Sequence, residues 1–133
     1  MDAATRELVR LRAEHRCEYC HIKQRQMPNR IFHIEHIIAR KHRGGDEPAN
    51  LALACDQCNL HKGANLSGLD PDSGELVRLF HPRLDTWTEH FRFDGPTIIG
   101  LSACGRTTAW VQQINSEERV ELRTIIAQLG ELD

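Results

Sequence analysis

Cys17-Glu-Tyr-Cys20, His33-Ile-Glu35-His36-Ile-Ile38, Asn50-Leu-Ala-Leu-Ala-Cys55 and Cys58-Asn59-Leu-His-Lys62-Gly63 follow one another within 47 residues, and their reading decides the fold. Zinc takes four tetrahedral thiolate or imidazole ligands, and a two-residue spacer lets both sulfurs of a tight turn reach one ion. Two such pairs supply all four ligands and leave no position open. A structural zinc held by Cys17, Cys20, Cys55 and Cys58 is therefore expected. In a reducing compartment such pairs serve metals more often than disulfides. The interval between them, residues 21–54, is longer than a compact zinc ribbon requires, so further structure must be threaded through it.

Working outward, Ile31–Ile38 is rich in β-branched and aromatic residues and reads as a strand. The basic loop Ala39–Asp46 turns the chain, and Leu51–Ala54 is a short return strand. Asp56–Lys62 reads as a helix that Gly63 can end. On that helix Cys55 and Cys58 share a face, while Asn59 is rotated about a quarter turn away. Before the first pair, Asp2 can cap a helix running to about Glu14, with Leu8 and Leu11 on its apolar face. Past residue 66, strands are expected at Glu75–Phe80 and at about 90–94, 97–102 and 106–112. Asn115-x-x-Glu118 resembles a capping box, opening a final helix whose Leu122, Ile125, Ile126 and Leu129 share one face. The class is α+β.

The 133 residues suit one ordinary domain. The longest apolar stretches, such as Ile98–Ala103, fall far short of the ~20 residues a bilayer demands. The polar N-terminus lacks the apolar run of a signal peptide, so a cytoplasmic protein is the default expectation. Net charge is −2, unevenly spread. Residues 1–66 hold eleven Lys/Arg against eight Asp/Glu, whereas residues 67–133 hold six against eleven. The first half is the one that could face an anion. Cys104, alone in an apolar stretch, is expected to be a buried inert thiol.

The run from Cys17 to Gly63 resembles the HNH endonucleases, whose pattern is a CxxC, an acid–His pair in a strand, an Asn before a short strand, and a CxxC-Asn/His-x-x-Lys helix. Asn59 stands where many members carry the last His, and Glu35 where most have Asp. The resemblance implies a ββα-metal core in residues 1–66, stapled by the four-cysteine zinc. Residues 67–133 would form a C-terminal extension of short antiparallel strands and a final helix, packed on the core. It also implies metal-dependent hydrolysis of phosphodiester bonds in DNA, in which His36 is the general base that activates water. A carboxylate and an amide oxygen are hard ligands suited to Mg²⁺ or a similar ion, and Glu35 and Asn59 are the residues implied for it. Asn50, by the same resemblance, staples the loop backbone and holds His36 in place.

Neighbouring residues of a regular strand point to opposite faces, so Glu35 and His36 can serve one site only where the strand ends, bends or bulges. His33 shares the face of Glu35 and is either a further metal ligand or a polar surface His. Arg40, Lys41, His42 and Arg43 form a basic patch expected to touch the nucleic-acid backbone. Lys62 either joins them or favours the helix C-terminus. His61 is expected to be exposed. The segment Leu79–Phe91 looks like the extension that follows the module in a group of bacterial HNH proteins. Its Trp87 and Phe91 are expected in the core rather than as base-stacking platforms. His81, Arg83 and His90 are expected in ordinary structural pairing.

A non-catalytic zinc-knuckle module that binds nucleic acid would need the cysteines but not Glu35, His36 and Asn59 together. A thiol redox switch would explain neither this trio nor the basic loop. No helix reads as a dedicated major-groove reader, so specificity is expected to be low unless a second copy or another partner supplies it. DNA and RNA are not distinguished by the residues.

Overall fold

The computed structural model describes residues 1–132. Asp2 accepts a hydrogen bond from the Thr5 amide at 2.8 Å and opens α1 (Ala3–Arg12). The helix buries Val9, whereas Leu8 and Leu11 remain exposed, so its inner face is not the one that the leucines suggest. Arg12 at its end donates to the carbonyls of Pro48 and Leu51, at 3.1 and 2.7 Å. These bonds tie α1 to the approach of the second strand.

Strands β1 (His33–His36) and β2 (Leu51–Ala54) pair antiparallel, from His33 with Ala54 to His36 with Leu51, without a bulge. All of β2 is buried, as its unbroken apolar sequence requires. Cys55 then caps α2 (Asp56–Lys62), which packs on both strands. Strand, strand and helix thus follow in the expected order, each within two residues of its expected bounds.

Beyond residue 66 the described residues form two further hairpins and three helices: β3 (Ser67–Leu69), β4 (Leu76–Arg78), α3 (Trp87–His90), β5 (Phe91–Asp94), β6 (Thr97–Gly100), α4 (Ala103–Val111) and α5 (Glu117–Gln128). Residues 106–112, expected as a strand, lie mostly in α4. Ser102 caps this helix, accepting from the Gly105 amide at 3.0 Å. Thr107 and Thr108 suggest a strand, but both are buried against neighbours, and the Thr108 hydroxyl donates to the Cys104 carbonyl at 2.7 Å. Gly105 permits the packing, because a Cβ there would come within 2.0 Å of the His90 carbonyl oxygen.

The last helix differs from expectation at two points. Its cap is Ser116, which accepts from the Arg119 amide, and Asn115 instead clamps the Ile98 backbone with bonds of 2.9 and 2.8 Å. Its buried residues are Arg119, Arg123 and Ile126, while Ile125 and Leu129 are exposed. No helix among the described residues is long and apolar enough to cross a membrane.

The core joins α1, both cysteine pairs, β2 and the aromatic cluster of the extension. Phe91 is buried, and Trp87 packs against it at the edge of that core. The Trp87 indole donates to the Tyr19 carbonyl at 2.8 Å and stacks on His21 at 3.9 Å between ring centres. Residues of the extension therefore sit directly on the first cysteine turn.

Candidate active site and metal centre

The first and last of the bracketing pairs meet. All four sulfurs of Cys17, Cys20, Cys55 and Cys58 lie within 4.8 Å of one another, and all four residues are buried. None is in a disulfide. Cys20 and Cys55 are 3.7 Å apart sulfur to sulfur. A tetrahedron with metal–sulfur bonds of about 2.3 Å has edges of about 3.8 Å, so the spacing fits zinc. Each pair closes as a turn whose second amide faces the first sulfur, Cys20 N to Cys17 Sγ at 3.5 Å and Cys58 N to Cys55 Sγ at 3.4 Å. The donor set is the one that a closed structural zinc site requires.

From this centre α2 runs toward the hairpin. A cleft of about 340 Å³ opens there, lined by His33, Glu35, His36, Arg40, Asn59 and Gly63 among others. Strand β1 is regular and ends at His36, so Glu35 and His36 point to opposite sides and occupy different surroundings. Glu35 turns inward and is buried. Its Oε1 accepts from the Tyr19 hydroxyl, and its Oε2 pairs with Lys62 Nζ at 3.0 Å. Burial pushes the Glu35 carboxyl above the ordinary glutamate range, against the opposing pull of Lys62, Tyr19 and His36. The Tyr19 hydroxyl is likewise pushed well up, by burial first and then by the Glu35 charge.

His36 is half-buried on the outer side. Its Nε2 meets Asp46 Oδ1 at 2.7 Å, and the same carboxylate takes both hydrogen bonds of Arg40, at 2.9 and 3.1 Å. The hydrogen bond from His36 holds the Asp46 carboxyl below its usual range, with Arg40 adding to the effect. A carboxylate only accepts, so Nε2 carries a proton, and in the neutral ring Nδ1 holds the lone pair.

The loop that brings Asp46 back is fixed by Asn50. Its side chain accepts from the Ile38 amide at 2.8 Å and donates to the carbonyls of Ile38 and Gly45 at 3.0 and 2.9 Å. Gly44 allows this closure, since a Cβ there would lie 1.6 Å from the Ile38 carbonyl oxygen. Arg40, Lys41, His42 and Arg43 are exposed along the loop. His33 is exposed at the edge of the cleft, and Asn59 is half-buried in its wall.

Lys62 departs from the expected phosphate contact. It is 2% exposed, and its ammonium donates to the carbonyls of Ile37 and His36 at 2.9 and 3.3 Å besides pairing with Glu35. With every donor directed inward, none is left for a ligand. His61 is exposed.

Sequence reasoning missed Asp46, Tyr19 and the inward role of Lys62. Asp46 left a signal, as an acid following Gly44-Gly45 at the end of a run of bases. Tyr19 left less: a large apolar ring between two cysteines says that it is buried, not which carboxylate its hydroxyl meets.

Residues 17–65 match the family model described as HNH endonuclease. This segment is similar to an HNH domain. It spans somewhat over a third of the chain and includes all four cysteines, the β1–β2 hairpin, the closing loop and α2. The family that this model describes is one of endonucleases. No curated protein and no solved structure matches the chain.

Proposed function

We propose that this chain is a metal-dependent HNH endonuclease that hydrolyses phosphodiester bonds in DNA, with His36 as its general base and zinc in the four-cysteine centre. The observation that supports this reading is the His36–Asp46 pair at the cleft. It fixes the neutral imidazole as the tautomer whose Nδ1 can accept a proton from water, the task of a general base. Asp46 acts through His36 as a positioning residue, and Asn50 holds the loop that delivers it.

Glu35 and Asn59 line one cleft, with His33 beside them, and are the residues that would hold Mg²⁺ or a similar ion, Glu35 exchanging its bond to Tyr19 or Lys62 for one to the metal. Such an ion, when bound, supplies positive charge for the phosphate and leaving oxygen. Arg40 is held at the cleft by Asp46 and presents its guanidinium to a phosphate, with Lys41, His42 and Arg43 extending the basic surface along the backbone. Backbone contacts of this kind make binding fall steeply with salt and confer little sequence preference. One cleft acts on one strand, and a second copy would provide the other.

One observation favours a different reading. Both oxygens of Glu35 are already engaged by Tyr19 and Lys62, an arrangement that also suits a zinc-stabilised module that binds nucleic acid without cutting it. Incubating supercoiled plasmid with wild-type protein and His36→Ala, in Mg²⁺ or Mn²⁺ at low salt, separates the two. The nuclease reading expects nicked or linear product from the wild type and a loss of about 10²–10⁴-fold in the variant at equal zinc content. Binding without cleavage by a folded, zinc-loaded wild type would establish the other.

A further inference from the structure

Helix α5 turns two arginines toward the core and leaves most of its apolar face outside. Arg119 and Arg123 are each 1% exposed. Arg123 donates through Nε to the Pro96 carbonyl at 2.5 Å, and through Nη2 to the Ile114 carbonyl at 2.7 Å and Asn115 Oδ1 at 3.0 Å. These acceptors are uncharged, and the ion pairs among the described residues give Arg123 no carboxylate. Arg119 pairs through Nη2 with Asp56 Oδ1 at 2.7 Å and lays Nη1 against Met27 Sδ at 2.7 Å. Arg119 Nε and Arg123 Nη1 are buried with no hydrogen-bond partner among the described residues.

A buried guanidinium without an anion is costly, and so is a buried N–H without an acceptor. Arg123 and Cys20 line one small cavity, and the carboxylate that Arg119 grips belongs to Asp56, next in the chain to Cys55. Besides Asp56, the anionic groups that act on the two guanidiniums are sulfurs: Cys55 and Cys20 for Arg119, and Cys20, Cys58 and Cys55 for Arg123. Zinc held by four thiolates carries a net charge of −2, and two guanidiniums carry +2.

We propose that Arg119 and Arg123 are the outer partners of the zinc tetrathiolate, neutralising its charge and, once zinc is bound, turning their orphaned N–H groups to its sulfurs. Their donation draws electron density from the thiolates, so the sulfurs exchange metal and react with electrophiles more slowly. The C-terminal extension thereby becomes part of the zinc centre: α5 supplies the guanidiniums, and Arg123 ties them to the turn between β5 and β6. This inference rests on zinc filling the four-cysteine centre and is independent of the nuclease reading.

The test is the rate at which zinc-loaded protein gives up its metal to a chromogenic chelator, read with the alkylation rate of its thiols. Arg119→Gln and Arg123→Gln are expected to release zinc about 10–100-fold faster. Arg30→Gln removes the pairs that Arg30 makes with Asp56 and Glu118 and should keep the wild-type rate. Wild-type protein loaded with an NMR-active cadmium isotope should show a correlation across the hydrogen bond from the metal to a guanidinium proton. That measurement decides the question even if neither variant folds. Unchanged release in the folded variants, or a wild-type spectrum without a correlation to either guanidinium, overturns the proposal. So does protein purified under reducing conditions with no metal in its four sulfurs.

Discussion

The HNH segment and the extension solve the same problem by different chemistry. Residues 17–65 hold most of the buried apolar side chains and close around four sulfurs, a stapling amide and a short all-apolar strand. Residues 67–132 close around aromatic rings and arginine–carboxylate pairs: Arg78 grips Asp85 at 2.6 and 2.8 Å, and Arg106 grips Asp70 at 3.1 and 2.9 Å. A metal centre concentrates its stabilisation in one place, whereas pairs and rings distribute it. The two regions should therefore fail differently.

Removing the metal should have the largest effect. Structural zinc contributes on the order of 10–16 kcal/mol of apparent binding energy in small domains, well above the net stability of an ordinary one. A strong chelator is expected to abolish cooperative unfolding of the HNH segment, visible as loss of amide-exchange protection in β1, β2 and α2. Protection that survives in those elements would break the comparison.

Asn50→Ala comes next. It strips three hydrogen bonds from the loop and leaves buried backbone groups unpaired, a cost of about 2–3 kcal/mol in urea unfolding of the zinc-loaded protein. Asp46→Ala is expected to be milder, slowing cleavage about tenfold, equivalent to 1.4 kcal/mol, with the unfolding midpoint unchanged. A larger shift in the midpoint than in the rate would make Asp46 a structural residue.

The smallest effect belongs to the extension and depends on pH. Arg78 holds the Asp85 carboxyl down to about 2. A depressed carboxylate contributes stability that is present above its unfolded value of about 3.9 and is lost as pH falls through the folded one. Asp85→Asn should thus lower the urea midpoint slightly at pH 7, and the gap from wild type should narrow below about pH 4 and close near 2. Both tryptophans, Trp87 and Trp110, lie in the extension, so their fluorescence reports this region.

The same contrast explains what could be read in the sequence. β2 and α2 were legible to the residue, because Cys55, Gly63 and an unbroken apolar run each constrain the chain locally. The meeting of the cysteine pairs followed from ligand chemistry. The extension was less legible because its determinants are remote. Leucine and isoleucine spacing pointed to one face of α5, but acceptors on other parts of the chain, the Asp56 carboxylate and the Pro96 carbonyl, make the arginine face the inner one. Residues 106–112 misled for a similar reason: threonines that favour a strand in isolation are buried in a helix whose glycine admits a close neighbour. At the site, His36, Glu35, Asn59 and Asn50 could be singled out, and the structure brings three of them to one cleft with the fourth behind it. The partners that aim them could not, since Tyr19, Asp46 and Lys62 act through contacts that spacing does not encode.

Helix α2 begins at a sulfur ligand and ends at the ammonium that clamps Glu35 and the end of β1. Its seven residues form a strut of about 10 Å, too short to bend, with a phase of about 100° per residue. Leu60 and His61, facing solvent, can be exchanged for almost anything without either end noticing. One inserted residue between Asn59 and Lys62 would instead swing the ammonium a quarter turn off the strand while leaving every sulfur in place. Along this strut, composition is free to drift and length is not.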